Sequence, residues 1–350
     1  MKTIKGPAIF FAQFVDEKAP FNSLDGLCKW AADLGYRGVQ IPTIVDFLID
    51  LDKAYESETY CDELKGKVNS YGLEITELST HIEGQLVAVH EAHDIMFDVF
   101  APDHLKGNFK ARTEWAVDRM KKAAVVSRRL GTPAHATFSG SLLWPYVHPW
   151  PQQPKGLIDL GFKELAKRWT PILNAFDENG VDVGYEVHPV EDIHDGVTFE
   201  RFLAATNNHP RVNILYDPSH FVLQQLDYIE YIDHYHEFIK VFHVKDSEFR
   251  PNGKKGTFGG YGDWKDRAGR YRSPGDGQVD FKQVFSKLTE YGCDVWAVLE
   301  WECVIKSPEQ GAREGAPFIQ NHIIEATTKA FDDFAGGESD PKQLQKILGI

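Results

Sequence analysis

Val183-Gly184-Tyr185-Glu186-Val187-His188-Pro189 is a short apolar run that closes on an acid, a histidine and a proline. In a strand, residues two apart share a face, so Glu186 and His188 project the same way from its C-terminal end. The same construction returns in Val212-Asn213-Ile214-Leu215-Tyr216-Asp217-Pro218-Ser219-His220, in Ile239-Lys240-Val241-Phe242-His243-Val244-Lys245-Asp246 and in Val295-Trp296-Ala297-Val298-Leu299-Glu300-Trp301-Glu302. Glu186, Asp217, His243 and Glu300 are 31, 26 and 57 positions apart, which fits consecutive βα units with one long insertion before the last. Parallel strands would bring these four ends together.

Working outward, a helical pattern, a glycine and an apolar strand recur as a unit. Gly35 precedes Arg37-Gly38-Val39-Gln40-Ile41-Pro42, Gly72 precedes Leu73-Glu74-Ile75-Thr76-Glu77-Leu78, and Gly131 precedes His135-Ala136-Thr137-Phe138. Gly180 precedes the opening stretch and Gly292 the last strand. Glycine just past a helix supplies the left-handed conformation that other residues resist. With residues 7–14 as a first strand, eight βα units result. They predict a (β/α)8 TIM barrel, a single domain over residues 1–335 with long βα loops and a C-terminal tail at 336–350, and ligands at the C-terminal strand ends. A doubly wound open sheet is the competing architecture, and it does not readily explain charged ends on four successive strands.

Three segments, 80–110, 139–161 and 247–279, are too long for simple connections and are expected to be walls or lids of the site. The second carries Trp144, Tyr146, His148 and Trp150, the third Phe258, Tyr261 and Trp264. Such aromatics can stack on a sugar ring, with Trp144 as the candidate to test, pack the loop down, or meet a partner subunit. A break at 336–341 is expected before an amphipathic tail at 342–350.

Composition narrows the partners. The 38 basic and 52 acidic residues give a net charge of −14, which opposes attraction to nucleic acid or an anionic membrane. A small-molecule substrate is expected. Cys28, Cys61, Cys293 and Cys303 form no CxxC pair, so they read as buried thiols of a reducing, cytoplasmic compartment. The apolar run from Ala8 to Val15, interrupted by Gln13, reads as a strand and not as a signal peptide, and no run has the length of a membrane span.

Three carboxylates and one imidazole form a mostly hard donor set, suited to one octahedral divalent ion with positions left open for substrate. Mn2+ is the first choice, with Mg2+, Co2+ or Zn2+ as alternatives. Parity adds His188, Lys245 and Glu302, each two residues past a ligand and so facing the same lumen. His188 and Lys245 are candidate bases or oxyanion stabilisers; the competing reading is that they only hydrogen-bond the ligands or sit on the rim. His81 and His135, near the ends of the third and fourth strands, could line the pocket.

These residues resemble the xylose isomerase-like TIM-barrel superfamily of sugar and sugar-phosphate isomerases and epimerases. Glu186, Asp217, His243 and Glu300 match its metal quartet, and Asp217-Pro218-Ser219-His220, His243-Val244-Lys245-Asp246 and Gly275-Asp276-Gly277-Gln278-Val279-Asp280-Phe281 are similar to motifs that recur there. The resemblance covers most of the chain in order. It implies proton abstraction beside a carbonyl through a metal-stabilised enediolate. It also implies proton exchange by Glu186 and Glu300, as in ketose 3-epimerases, and a substrate-orienting role for His220. The chain departs from those epimerases at Phe249, where they carry an arginine that Arg250 follows by one, and at Asp192, where they carry a glutamate.

A metal-dependent sugar isomerase or epimerase is therefore the leading expectation. A lyase or dehydratase on a keto-sugar or 3-keto-glycoside is the alternative, because only the step after proton abstraction differs. A repair nuclease resembling endonuclease IV is disfavoured by the acidic balance, and a non-catalytic sugar-binding barrel is the remaining class. A homo-oligomer or a small accessory subunit is compatible with the sequence.

Overall fold

The structure, a computed structural model, describes residues 4–327, 331 and 340–350. Eight strands pair in parallel and close a barrel in chain order: β1 (Lys5–Phe10), β2 (Gly38–Pro42), β3 (Glu74–Ser79), β4 (Ala134–Thr137), β5 (Asp182–Glu186), β6 (Val212–Tyr216), β7 (Ile239–Val244) and β10 (Trp296–Leu299). β1 closes the ring by pairing with both β2 and β10. β8 (Asp246–Phe249) and β9 (Gly269–Arg272) form a separate antiparallel hairpin between the seventh and eighth barrel strands. The helices are α1 (Leu24–Asp33), α2 (Leu51–Glu56), α3 (Glu58–Ser70), α4 (His81–Gln85), α5 (Asp94–Phe97), α6 (Phe109–Leu130), α7 (Leu157–Asn179), α8 (Gly196–Ala205), α9 (Pro218–Gln224), α10 (Tyr228–Tyr235), α11 (Phe281–Glu290), α12 (Pro308–His322) and α13 (Pro341–Leu348).

The five glycines that punctuate the sequence all take the left-handed φ their position requires, between +67° and +92°. Each strand divides its side chains between two environments. Ile9, Val39, Tyr185, Ile214, Phe242 and Leu299 face outward and join the helices in one continuous apolar core. Inward, the residues are smaller: Ala8, Phe10 and Val298 pack together, as do Ala134, Ala136, Leu215 and Val241. Gly38 is needed for closure, since a Cβ there would stand 2.6 Å from Thr76 Cγ2 and 3.0 Å from Ala8 Cβ. The inward register continues to Glu186, Asp217, His243 and Glu300 at the C-terminal mouth.

Three expectations are corrected. The first strand stops at Phe10; residues 11–14 form a 3-10 turn in which Phe11 and Phe14, three apart, both turn into the core. The 247–279 segment is not only loop, because it contains the β8–β9 hairpin. Cys303 is half-buried, unlike the other three cysteines. The expected domain boundary at 335 and most of the break at 336–341 lie outside the described residues, while α13 covers most of the expected tail and is exposed throughout. Among the described residues, no helix is long and apolar enough to cross a membrane.

The three long segments touch one another around the mouth. Val89 bridges to Ser141, His90 Nε2 lies 3.0 Å from Tyr146 Oη, and the rings of His148 and Phe258 meet at 6.4 Å.

Candidate active site

Each of the four strand-end ligands is buried, and each offers one donor atom within 4.8 Å of the other three. Local structure aims them. Asp217 is the N-cap of α9: its Oδ1 accepts from the Ser219 amide at 2.8 Å, with Pro218 at the first helical position. That leaves Oδ2 turned to the centre without a well-formed hydrogen bond. Glu186 Oε1 accepts from His220 Nε2 at 2.8 Å, while its Oε2 lies 3.0 Å from His81 Nε2 without a directed hydrogen bond. His243 Nε2 faces Gln40 Oε1 at 2.9 Å, so its proton sits there and Nδ1 is the nitrogen presented to the centre, 2.8 Å from Glu300 Oε2. Gln13 Nε2 donates to the other oxygen, Glu300 Oε1, at 3.1 Å.

Lys245, also buried, reaches into this cluster. Its Nζ is 3.2 Å from Glu300, 3.5 Å from both Asp217 and Glu302, and 4.0 Å from Glu186. Against the cost of burial, these contacts set the ionisation of the whole group. The Lys245 ammonium and His243 hold Glu300 down to about 2. The hydrogen bond from His220, the close approach of His81 and the Lys245 charge hold Glu186 well below the usual carboxylate range. In return the carboxylates hold Lys245 well above its ordinary value and lift His220 to about 9. Burial without donors is unfavourable for oxygens such as Asp217 Oδ2. A divalent cation among three carboxylates and one imidazole nitrogen would satisfy them, so the residues present fit such an ion.

His188 lies beside this cluster, its ring 4.0 Å from that of His220 and 5.0 Å from Phe138. Desolvation and the His220 and Lys245 cations hold it well below the ordinary histidine value, so it is neutral. Its Nδ1 donates to the Pro189 carbonyl, which leaves the Nε2 lone pair as the basic site. The side chain sits on a tight turn in which Glu191 N bonds His188 O at 3.1 Å and Val190 takes a φ of +84°.

The structure thus brings together Glu186, Asp217, His243, Glu300, His188, Lys245, His220, Glu302 and His81. It does not bring His135, Trp144 or Arg250 to them. His135 faces the helix layer, because its neighbours Ala134 and Ala136 take the inward positions; Thr80 and Ser127 hold its ring nitrogens at 2.7 and 3.1 Å against Phe176. Trp144 packs edge-on against His194, at 5.3 Å. Arg250 is exposed and its Nε sits 2.7 Å from Glu248 in the hairpin. Asp192, where the epimerases carry a glutamate, accepts the Leu142 and Leu143 amides at 2.8 and 2.6 Å and so pins the second long loop.

Gln13, Gln40 and Tyr271 also contact the cluster, at Glu300, His243 and His220. The sequence signal for the first two is a lone polar residue within an apolar run. Tyr271 carried none. Asp246 receives the amides of Ser247, Gly275, Gly277 and Val279, which explains the glycine-rich stretch: a Cβ at 277 would stand 2.2 Å from Asp246 Oδ1.

Fold and site together define a parallel eight-stranded barrel with a carboxylate-rich candidate metal centre at its C-terminal mouth. The chain belongs to the xylose isomerase-like TIM barrel family, whose model matches residues 28–322. The inosose dehydratase of Bacillus licheniformis is 25% identical over 50% of this chain and 55% of its own length. The chain thus spans about half the length of the curated relatives it matches first. Among solved structures, a probable 3-DHS dehydratase involved in petrobactin synthesis from Bacillus anthracis superposes with a TM-score of 0.61 at 17% identity, covering 92% of this chain and 99% of that one. An L-ribulose 3-epimerase does so at 0.58 and 15%, covering 92% and 94%.

Proposed function

We propose that the protein is a divalent-metal-dependent enzyme that abstracts a proton beside the carbonyl of a sugar or sugar derivative and then eliminates a β-substituent, as a dehydratase or lyase does. The observation that carries this reading is the neutral His188, whose Nδ1 is spent on the Pro189 carbonyl and whose Nε2 remains a base next to the ligand cluster. Similarity to inosose dehydratases supports the same choice.

Glu186, Asp217, His243 and Glu300 would hold the ion, with manganese or magnesium best suited to the oxygen-rich donor set. When bound it supplies positive charge that stabilises the negative charge developing on the substrate carbonyl oxygen. Gln40 and Gln13 orient His243 and Glu300. His188 Nε2 takes the α-proton; the C–H pair becomes the new carbon–carbon double bond, and the β-carbon–oxygen bond breaks. Lys245 and His220, both held charged by the carboxylates, are the donors available to protonate the departing oxygen. Phe10 and Phe138, packed on His243, His81 and His188, keep water from the reacting carbons.

Isomerisation or epimerisation is the second reading. It is favoured by the pair Glu186 and Glu300, both ionised and close enough to share a substrate. The manganese-loaded protein incubated in D2O with inosose, ketoses and 3-keto-glycosides separates the two. A product lighter by one water, or a released aglycone, supports elimination; a product that gains one carbon-bound deuterium while keeping its carbon skeleton and all its oxygens supports isomerisation. No conversion of any of these compounds would overturn both.

A further inference from the structure

We infer that Tyr271, from the hairpin outside the barrel, is a positioning residue of this site: its hydroxyl fixes the imidazole of His220 and its ring fixes the ammonium of Lys245. The inference rests on the site reading above and extends it to a residue that no barrel strand supplies.

Tyr271 is buried, and its Oη lies 3.1 Å from His220 Nδ1. The opposite nitrogen of that ring, Nε2, contacts Glu186 at 2.8 Å and Asp217 at 3.3 Å. The imidazole is therefore held at both ends, and rotation about its Cβ–Cγ bond would break contacts at each. A tyrosine hydroxyl suits this position because it can either donate to Nδ1 or accept from it. The ring of the same residue stands 4.8 Å from Lys245 Nζ, within cation–π range. One side chain thus touches both His220 and Lys245, yet it touches none of the four candidate ligands by hydrogen bond.

The strand geometry of the hairpin explains the placement. In β9, Tyr271 alternates with Arg270 and Arg272, so it faces one way and they face the other. The two arginines close on the buried carboxylate of Glu248 across the pair, at 2.7 and 3.0 Å. On the Tyr271 side, its β8 partner Ser247 donates to the Ser219 carbonyl at 2.7 Å, tying the hairpin to the start of α9 next to His220. Asp246 holds the far end through the 275–279 amides. The hairpin is thus anchored by contacts independent of the Tyr271 hydroxyl, so removing that hydroxyl alone leaves it in place.

The alternative is that Tyr271 only fills space between Trp264, 4.9 Å away, and the barrel mouth. Tyr271→Phe and Tyr271→Leu, made in the full chain and loaded with magnesium, distinguish the two. For the first, with histidine nitrogens labelled and His220 assigned through a His220→Asn variant, the His220 15N resonances are expected to move while the magnesium dissociation constant and the melting temperature stay at wild-type values. With inosose as the probe substrate, kcat is expected to fall about tenfold at unchanged KM, the equivalent of one lost hydrogen bond near 1.4 kcal/mol. Tyr271→Leu is expected to lose more, with Tyr271→Phe recovering part of it. Unmoved His220 resonances in Tyr271→Phe would overturn the inference, as would a loss of kcat matched by an equal loss of folded protein. If wild-type protein does not convert inosose, the elimination reading loses that substrate, and the His220 resonances still decide this inference.

Discussion

Lys245 places a buried ammonium among four carboxylates, three of them buried, and this governs how each neighbouring residue responds to substitution. Buried charges persist only when paired, so deleting one partner leaves the others uncompensated. Glu186→Gln removes one ionised ligand while keeping its shape. The expected result is a loss of divalent-metal affinity and of turnover of at least about 100-fold, since even outer partners of metal ligands are worth 10- to 100-fold; titration calorimetry with Mn2+ and a steady-state assay check it. His135 is the contrasting case. Its hydrogen bonds to Thr80 and Ser127 are buried, so His135→Leu should cost about 1–3 kcal/mol of stability and leave kcat/KM unchanged. Burial lowers this histidine to about 3 in the folded chain, below the unfolded value of about 6.5. As the pH falls from 6.5 toward 3, the unfolded chain takes up a proton that the folded chain refuses, so stability declines with acidification. Urea unfolding at pH 7 and pH 5 should show a smaller decline in His135→Leu than in the wild type.

Among the elements, the turn after β5 stores strain where His188 is presented. Pro189 followed by Val190 at φ +84°, closed by the Glu191 to His188 hydrogen bond, has the form of a type II turn, which favours glycine or asparagine at the position valine holds. Val190→Asn should stabilise the protein by about 1 kcal/mol, the scale of the penalty for a left-handed L-residue; a melting curve measures it, and an unchanged or lowered melting temperature would show that the turn carries no such strain. The elements that were readable in the sequence are those with apolar periodicity and a glycine stop, as in α1 followed by Gly35 and β2. The β8–β9 hairpin was not readable. Asp246-Ser247-Glu248-Phe249 and Gly269-Arg270-Tyr271-Arg272 show no apolar alternation, because the buried partner of one strand's arginines is a carboxylate on the other. The turn at 11–14 was hidden for the opposite reason: it is as apolar as the strand it follows.

Across the whole molecule, four ligands from four separate βα units meet at one point, so a bound ion ties together segments from residue 186 to residue 300. An ion that binds only the folded chain adds RT ln(1 + [L]/Kd) to stability, about 2.7 kcal/mol at a hundredfold excess over Kd. Dialysis against a chelator should lower the melting temperature and abolish turnover, and Mn2+ should restore both; a melting temperature indifferent to Mn2+ would count against a centre built from these residues.

Alternation within a strand and the helix-to-glycine rhythm are local properties, and they suffice to read from the residues alone the eight-stranded barrel, the inward parity of Glu186, Asp217, His243 and Glu300, and the companions His188, Lys245 and Glu302. The folded chain alone reveals that His135 turns outward, that Arg250 is taken by Glu248, and that Gln13, Gln40 and Tyr271 contact Glu300, His243 and His220. Those outcomes depend on distances between residues far apart in the chain, as with Gln40 and His243 or Gln13 and Glu300, and local periodicity carries no information about such distances.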